Sequence, residues 1–289
     1  MPENYAGHSR FSDPGPYAGL LAAAPADLAG ASAVARNILL HYVGSQVALS
    51  PERLAEIDNR WVSRILATDQ ARHAYALDVP RPLADRVAGC CRDFTLLTVA
   101  ILRAHGVPAR SRIGFADYFE AGFHHDHVIA EVWDGDRWVR ADPQLDPAGD
   151  WDFDPQDMPP FGTRFATAAQ VWQGYRSGAL DPARYGVSPT LPHLCGVWLI
   201  GMYVYLEAAH VMRDETLLWD GWGAMPSPED GPGDVDGELL DRLADLLVAE
   251  KYDELGEWYR ADERLRVPAT VECHSPATGP RIDTLTPLS

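Results

Sequence analysis

The hydrophobic and polar positions of the chain follow two periodicities, which predicts an α+β fold. Apolar residues recur at helical spacing within 31–43 and again from Leu54 to Ile65. Ser50 and Pro51 have the side chains typical of a helix start just before the second run. The amino-terminal part of the chain is therefore predicted to be helical.

Residues 91–105 have one apolar face at helical spacing, and Gly106 is placed to end that helix. The next residues, 109–115, alternate between apolar side chains and the arginines at 110 and 112. Strict alternation predicts a strand with one buried face and one face exposed to solvent. Arg110 and Arg112 are expected on the exposed face.

A hairpin is predicted around the dipeptide Asp134-Gly135, which is the strongest short-range signal for a two-residue turn. The flanking strands are residues 127–133 and residues 136–142. In this register His127 lies directly opposite Asp142, with Cβ atoms about 4.5–5.5 Å apart. Turn chemistry therefore predicts an imidazole hydrogen-bonded to a carboxylate.

The second half of the chain returns to helical spacing. The predicted elements are a helix ended by Gly178, a buried helix within 191–214, a mobile acidic loop at 226–237, an amphipathic helix from Leu239 to Leu247 and an irregular tail from Val267. We predict two regions: residues 1–160 form a core with amino-terminal helices, and residues 161–289 form a mostly helical extension packed on it.

Charge excludes two classes of partner. The 289 residues include 42 acidic and 24 basic side chains, so the formal net charge is −18. Nucleic-acid binding needs clustered basic side chains, and an anionic membrane surface attracts them as well. The chain is expected to bind neither. With 46% hydrophobic residues, it is expected to be globular.

The first residues, MPENYAGHSR, lack the basic and apolar regions of a secretory signal. The longest apolar run, Leu194 to Leu206, has 13 residues and is too short to span a bilayer. A soluble, cytoplasmic protein is expected. Lys251 is the single lysine against 23 arginines, a bias that indicates a bacterial genome of high GC content.

Four cysteines in this length do not indicate a disulfide scaffold. Cys90 and Cys91 stand at the start of the 91–105 helix, where helical N–H groups and a nearby imidazolium would lower a thiol pKa to about 3.5–7.5. A thiol, an imidazole and an orienting carboxylate have the logic of a catalytic triad, and the nucleophile's own N–H is a ready oxyanion donor. Helical periodicity leaves open which cysteine acts.

Three motifs in this order resemble the core of the transglutaminase-like superfamily: GCCRDFTLLTVAILRAHGVPAR, HVIAEVW and RWVRADP. The resemblance covers about residues 85–145. It implies a papain-like core, in which a nucleophile helix packs on a small antiparallel sheet, with additional carboxy-terminal helices. It also implies that Cys91 is the nucleophile, His127 the base and Asp142 the orienting acid, with Cys90 at a variable position.

The chain departs from the family pattern at two points. HVIA stands where the family often has His-Ala-Trp, and two cysteines stand where one is usual. Without that tryptophan, the resemblance does not specify the substrate groove. The second cysteine leaves the role of Cys90 undetermined.

The resemblance implies a thiol enzyme that forms an acyl-enzyme thioester. Its acyl donor would be a peptide, a small-molecule amide or a carrier-bound thioester, and its acceptor an amine or water. We favour transfer to an amine; a cysteine peptidase or amidase is the first alternative, and a non-catalytic binding module of the same fold is the second. No nucleotide-binding motif is present, so no organic cofactor is expected.

Each candidate residue also has a purely structural interpretation. Cys91 would then be a buried thiol, His127 a satisfied core histidine and Asp142 a turn residue before Pro143. Cys195 and Cys273 are expected to be structural or surface thiols.

The run from His124 to His127 also allows a zinc hydrolase, which needs three protein ligands. No HExxH or CxxC motif accompanies it, so we expect no metal. His124 and His125 are instead expected in a loop at the mouth of the pocket.

Overall fold

A computed structural model describes residues 2–227 and 235–286, and its elements make an α+β fold. The helices are α1 (Ala18–Ala23), α2 (Leu28–Ile38), α3 (Pro51–Leu54), α4 (Val62–Arg72), α5 (Cys91–Ala104), α6 (Ala168–Arg176), α7 (Val197–Val211), α8 (Gly237–Val248) and α9 (Tyr252–Ala261). The strands are β1 (Leu39–His41), β2 (Val87–Gly89), β3 (Ala109–Ala116), β4 (His124–Trp133), β5 (Trp138–Ala141), β6 (Phe165–Thr167), β7 (Tyr185–Gly186), β8 (Asp220–Gly221), β9 (Thr270–Ser275) and β10 (Gly279–Thr284). Most of the predicted acidic loop at 226–237 lies outside the described residues.

The amino-terminal helices are shorter than predicted. The first predicted helix stops at Ile38, and the chain continues at once as strand β1, which pairs in parallel with β2. The second is divided: Ser50 caps α3 as expected, by accepting a bond from Arg53 N–H at 3.3 Å, but a new helix starts only at Val62. The pairing places His41 beside Gly89, two residues before Cys91.

The central sheet is antiparallel in the order β5-β4-β3-β6, and β7 pairs in parallel with β4. Strand β3 covers one edge of β4. On the other edge, β7 pairs with residues 124–125 and β5 with residues 130–133. Residues 126–129 therefore have no strand partner on that edge, and helix α5 fills the gap. Thr95 of α5 donates its hydroxyl to the Val128 carbonyl at 2.9 Å.

The β4–β5 register differs from the predicted one by two residues. Trp133 pairs with Trp138 rather than Asp136, so the connection has four residues. The Asp134 carboxylate accepts bonds from the N–H groups of Asp136 and Arg137 at 2.9 and 2.8 Å, and this Asx turn widens the loop. The prediction that His127 lies directly opposite Asp142 is wrong. Because the shift is an even number of residues, it keeps every side chain on its predicted face.

The face of β3 that was predicted to be exposed is buried. Arg110 and Arg112 are each about 2% exposed and share the carboxylate of Glu131 on β4, at 2.7 and 2.9 Å. Arg112 also pairs with Glu207 of α7 at 2.8 Å. These buried ion pairs replace the expected contact with water and connect the sheet to α7.

We expect Glu131→Gln to lower the free energy of unfolding by roughly 3–5 kcal/mol, because it leaves two buried guanidinium groups without their shared charge. Urea unfolding followed by circular dichroism measures the loss. Glu272→Gln is the matched control, since Glu272 is exposed on β9. A loss below about 1 kcal/mol, the size typical of an exposed pair, would contradict this prediction.

A common hydrophobic core includes residues from both predicted regions, such as Leu97 of α5, Val128 of β4, Val204 of α7 and Leu243 of α8. The second region therefore packs directly on the helix and sheet of the first. The proposed division at residue 160 stays a prediction. No helix within the described ranges is long and apolar enough to cross a membrane.

The carboxy-terminal tail is not irregular, which corrects the prediction for residues after Val267. Strands β9 and β10 form an antiparallel hairpin, and β8 pairs with β9 to complete a three-stranded sheet. Along β9 the side chains of Val271, Cys273 and Ser275 are buried and their neighbours are exposed. This hairpin forms one wall of the cavity described below.

Candidate active site

The two adjacent cysteines occupy different positions at the start of α5. Cys90 is the N-cap residue, and its N–H donates to the Asp93 carboxylate at 2.8 Å. Cys91 is the first helical residue, and its sulfur lies against the Val128 N–H of β4. Cys91 and Thr95, one helical turn apart, thus meet the N–H and the C=O of Val128 in the gap of the sheet.

The pKa of Cys91 is not lowered, although its position at the start of a helix predicted a lowered value. A hydrogen bond with the Cys90 side chain and burial raise the pKa of Cys91 well above its usual value, and the Val128 N–H acts in the opposite direction. Two adjacent buried sulfurs do not readily carry two negative charges. In the free protein, Cys91 is therefore a thiol that needs a base to ionise.

His127 and Asp142 are in direct contact. His127 Nε2 lies 2.6 Å from Asp142 Oδ2, and the two side chains are 2% and 0% exposed. Asp142 follows the last residue of β5, and its backbone N–H is held by the Pro155 carbonyl at 2.8 Å. Because Asp142 occupies Nε2, Nδ1 is the ring nitrogen left to exchange a proton with a thiol.

Tyr118 is a further member of the site that the sequence analysis missed. It lies in the loop between β3 and β4, and its hydroxyl donates to Asp142 Oδ2 at 2.7 Å. The neighbouring Phe119 contacts the His127 ring edge-on, with ring centroids 5.0 Å apart. Both aromatic residues restrict the imidazole. Tyr118 and Phe119 come after the alternating residues of β3, so periodicity does not predict which way their side chains face.

His41 also borders the site, although the sequence analysis placed it in a helix. Its Nδ1 accepts bonds from the N–H groups of Val43 and Gly44 at 3.3 and 3.0 Å, which fixes its proton on Nε2. Burial, together with the charge of His127, lowers the pKa of His41 to about 4. His41 is therefore a neutral hydrogen-bond donor near physiological pH. The parallel pairing of β1 with β2 brings His41 to the site, and no local sequence pattern predicts that pairing.

Cys90, Cys91 and His127 all border a cavity of about 1590 Å³. This exceeds the roughly 300–1,000 Å³ of pockets for drug-sized ligands. Asp142 lies behind His127, away from the cavity surface. Part of the wall comes from the second region and is apolar: Trp198, Leu199, Met202, Leu218, Trp219 and Trp222. The arrangement joins a buried thiol and an imidazole–carboxylate pair to a large space with apolar walls.

His124 and His125 are in strand β4, not in the expected loop. The ring of His124 stacks on Tyr185 with centroids 4.3 Å apart. His125 lines the cavity, as a residue at the pocket mouth would, and contacts the Val187 carbonyl and Glu120 at 2.9 and 3.2 Å. Within residues 2–227 and 235–286, no three His, Cys, Asp or Glu side chains are grouped as metal ligands.

The two remaining cysteines are free and apart from these groups. Cys195 is partly buried before α7, and Cys273 is buried in β9. That both are structural or surface thiols stays a prediction.

Residues 50–143 match the family model of the transglutaminase-like superfamily. These residues run from the cap of α3 to the residue after Asp142, and they contain α5 and the first three strands of the central sheet's path. This match covers about a third of the chain and confirms the resemblance seen in the three motifs. The structure has the predicted α+β arrangement, with helix α5 packed on a small antiparallel sheet. The match supports a thiol enzyme in general terms.

Two further comparisons add little. No curated protein matches the chain. A crystal structure of a "putative cysteine protease" from Cytophaga hutchinsonii is similar over 50% of this chain and 42% of its own, with 20% identity and a TM-score of 0.32.

Proposed function

We propose that the protein is a thiol acyltransferase in which Cys91 attacks the carbonyl of an amide, ester or thioester. The contact of His127 Nε2 with Asp142 Oδ2 at 2.6 Å, made by a histidine that borders the same cavity as Cys91, is the observation that carries the proposal. Cys91 is favoured over Cys90 because its sulfur lies against Val128, the residue next to His127. Cys90 serves as the helix cap.

In this mechanism His127 acts first as a base. Its Nδ1 takes the proton of Cys91, and the thiolate attacks the carbonyl carbon. The oxyanion is placed near the Cys91 N–H, one of the first helical N–H groups without a partner inside the helix. The intermediate collapses, the leaving group takes the proton from His127, and an acyl thioester remains on Cys91. Asp142 holds the proton on Nε2 throughout.

Transfer to an amine rather than to water is supported by the walls of the cavity. Helix α7, the segment that follows it and the β9–β10 hairpin all border the cavity, so the second region supplies walls that limit the access of water to the thiol. Exclusion of water prevents hydrolysis of a reactive acyl-enzyme. The apolar side chains on that wall suit an apolar acyl group or acceptor.

We expect the acyl-enzyme to partition toward amide as amine is added. The enzyme is supplied with p-nitrophenyl acetate, with and without a primary amine, and amide and free acid are followed by chromatography. Amide should rise with amine concentration while the release of nitrophenolate by acylation stays constant. If free acid dominates at every amine concentration and an unfolded protein is cut as readily, the protein is a cysteine hydrolase instead.

A further inference from the structure

Asp126 is an acidic side chain on the wall of the same cavity, between His125 and His127 on β4. It is largely buried and meets solvent only where it borders the cavity, and its charge raises the pKa of Cys91. A carboxylate at this place opposes formation of the thiolate. The mechanism above gives it no role.

The partners of Asp126 do not neutralise it. The Tyr203 hydroxyl of α7 donates to its Oδ2 in a short hydrogen bond. Among the residues that the structure describes, no arginine or lysine forms an ion pair with it. Burial raises the pKa of Asp126, against the hydrogen bond from Tyr203 and the charges of His127 and His125. A carboxylate removed from water is unfavourable unless a cation pairs with it.

An apolar strip leads away from this carboxylate. Trp198, Leu199, Met202 and Tyr203 all line the cavity, at the spacing i, i+1, i+4 and i+5, which is one face of α7. Tyr203 is at the Asp126 end, and Trp198 lies roughly 7.5 Å further along the helix axis. The wall therefore offers a negative charge followed by an apolar surface.

We propose that Asp126 is the specificity-determining residue for the acyl acceptor, and that it binds the ammonium group of a primary amine whose apolar body lies along the cavity-lining face of α7. This inference rests on the proposed acyl transfer. The hydrogen bond from Tyr203 does not require a carboxylate, because an asparagine would accept it equally well, whereas binding of an ammonium group does.

The ammonium gives one proton to the Asp126 carboxylate, and the neutral nitrogen attacks the thioester carbon, forming a C–N bond. The C–S bond then breaks, His127 moves a second proton from the nitrogen to the Cys91 sulfur, and the amide leaves. Asp126 releases its proton to solvent, so acyl-thioester and ammonium become amide, thiol and one proton.

The test uses the full chain, acylated by p-nitrophenyl acetate, with two acceptors. One is 2-phenylethylamine, which is a cation at neutral pH, and the other is phenylhydrazine, which is uncharged. For each variant the rate of amide or hydrazide formation is divided by the rate of the nitrophenolate burst. In Asp126→Asn we expect this ratio to fall about tenfold to hundredfold for 2-phenylethylamine, the effect of one charge-assisted hydrogen bond, and to change far less for phenylhydrazine.

Glu272→Gln is the control, because it removes an equal charge from the hairpin side of the cavity. It should leave the ratio unchanged for both acceptors. Equal losses for both acceptors in Asp126→Asn, or no loss for either, would overturn the assignment of Asp126, while the burst and amide formation by the native chain would still support a thiol acyltransferase. Absence of a burst in the native chain would instead remove the proposed function, and this inference with it.

Discussion

Cys91→Ala is expected to abolish the nitrophenolate burst and to reduce turnover to the background rate, a loss of about five to six orders of magnitude. The reason is that the proposed nucleophile, the Cys91 sulfur, is removed. The Cys91 sulfur meets the Val128 N–H in the gap of the sheet, whereas Cys90 caps the helix. The burst is measured by stopped-flow absorbance, and circular dichroism checks that the variant is folded.

Cys90→Ser is the matched control. Serine is a good N-cap residue and keeps the start of α5, so this variant should retain the burst within about tenfold. In the same experiment, iodoacetamide should label Cys91 faster as the pH rises, because its raised pKa keeps it a thiol near neutrality. A burst that survives in Cys91→Ala but is lost in Cys90→Ser would move the nucleophile by one residue.

The hairpin shows what local sequence can and cannot specify. Alternation fixed which face of β4 carries His127, and the structure has it on that face in contact with Asp142. The Asp134 side chain widened the turn by two residues, which the dipeptide rule does not foresee. An error of one residue in the strand register would have placed His127 and Asp142 on opposite faces of the sheet, whereas the error of two residues kept them on the same face.

Features that depend on distant parts of the chain were not predictable in the same way. Arg110 and Arg112 are buried because Glu131 and Glu207 neutralise them, and Glu207 comes from a helix about a hundred residues away. The raised pKa of Cys91 depends on burial and on a second thiol. Tyr118 and His41 reach the site from a loop and from a parallel strand pair. The motifs indicated the three proposed catalytic residues, but not their surroundings.

The hairpin near the carboxyl terminus was missed for another reason. The tail from Val267 was predicted to be irregular, although the residues before Pro276 alternate between exposed and buried positions. Pro276 lies between the two strands, and Pro280 is near the start of β10, a strand with a partner on one side only. A proline is tolerated at such an edge.

Asp142→Asn is expected to lower kcat for ester turnover by about three to four orders of magnitude while the fold is retained. The carboxylate accepts bonds from both His127 and Tyr118 at Oδ2, and from the Gln144 N–H at Oδ1. An asparagine has one acceptor oxygen and one NH₂ donor. If the NH₂ faces His127, Nε2 becomes the acceptor and the ring proton moves to Nδ1. A ring with its proton on Nδ1 cannot take the proton of Cys91.

Tyr118→Phe separates this tautomer effect from a general loss of packing. It removes one donor to Asp142 but leaves the carboxylate to hold the proton on Nε2, so kcat should fall only about tenfold, the size of one hydrogen bond. Both variants are compared by kcat, by the nitrophenolate burst and by thermal unfolding. A loss in Asp142→Asn no larger than that in Tyr118→Phe would mean that Asp142 only packs against His127. If Asp142 orients the imidazole as a charged acceptor, the loss in Asp142→Asn should be hundreds of times larger than the loss in Tyr118→Phe.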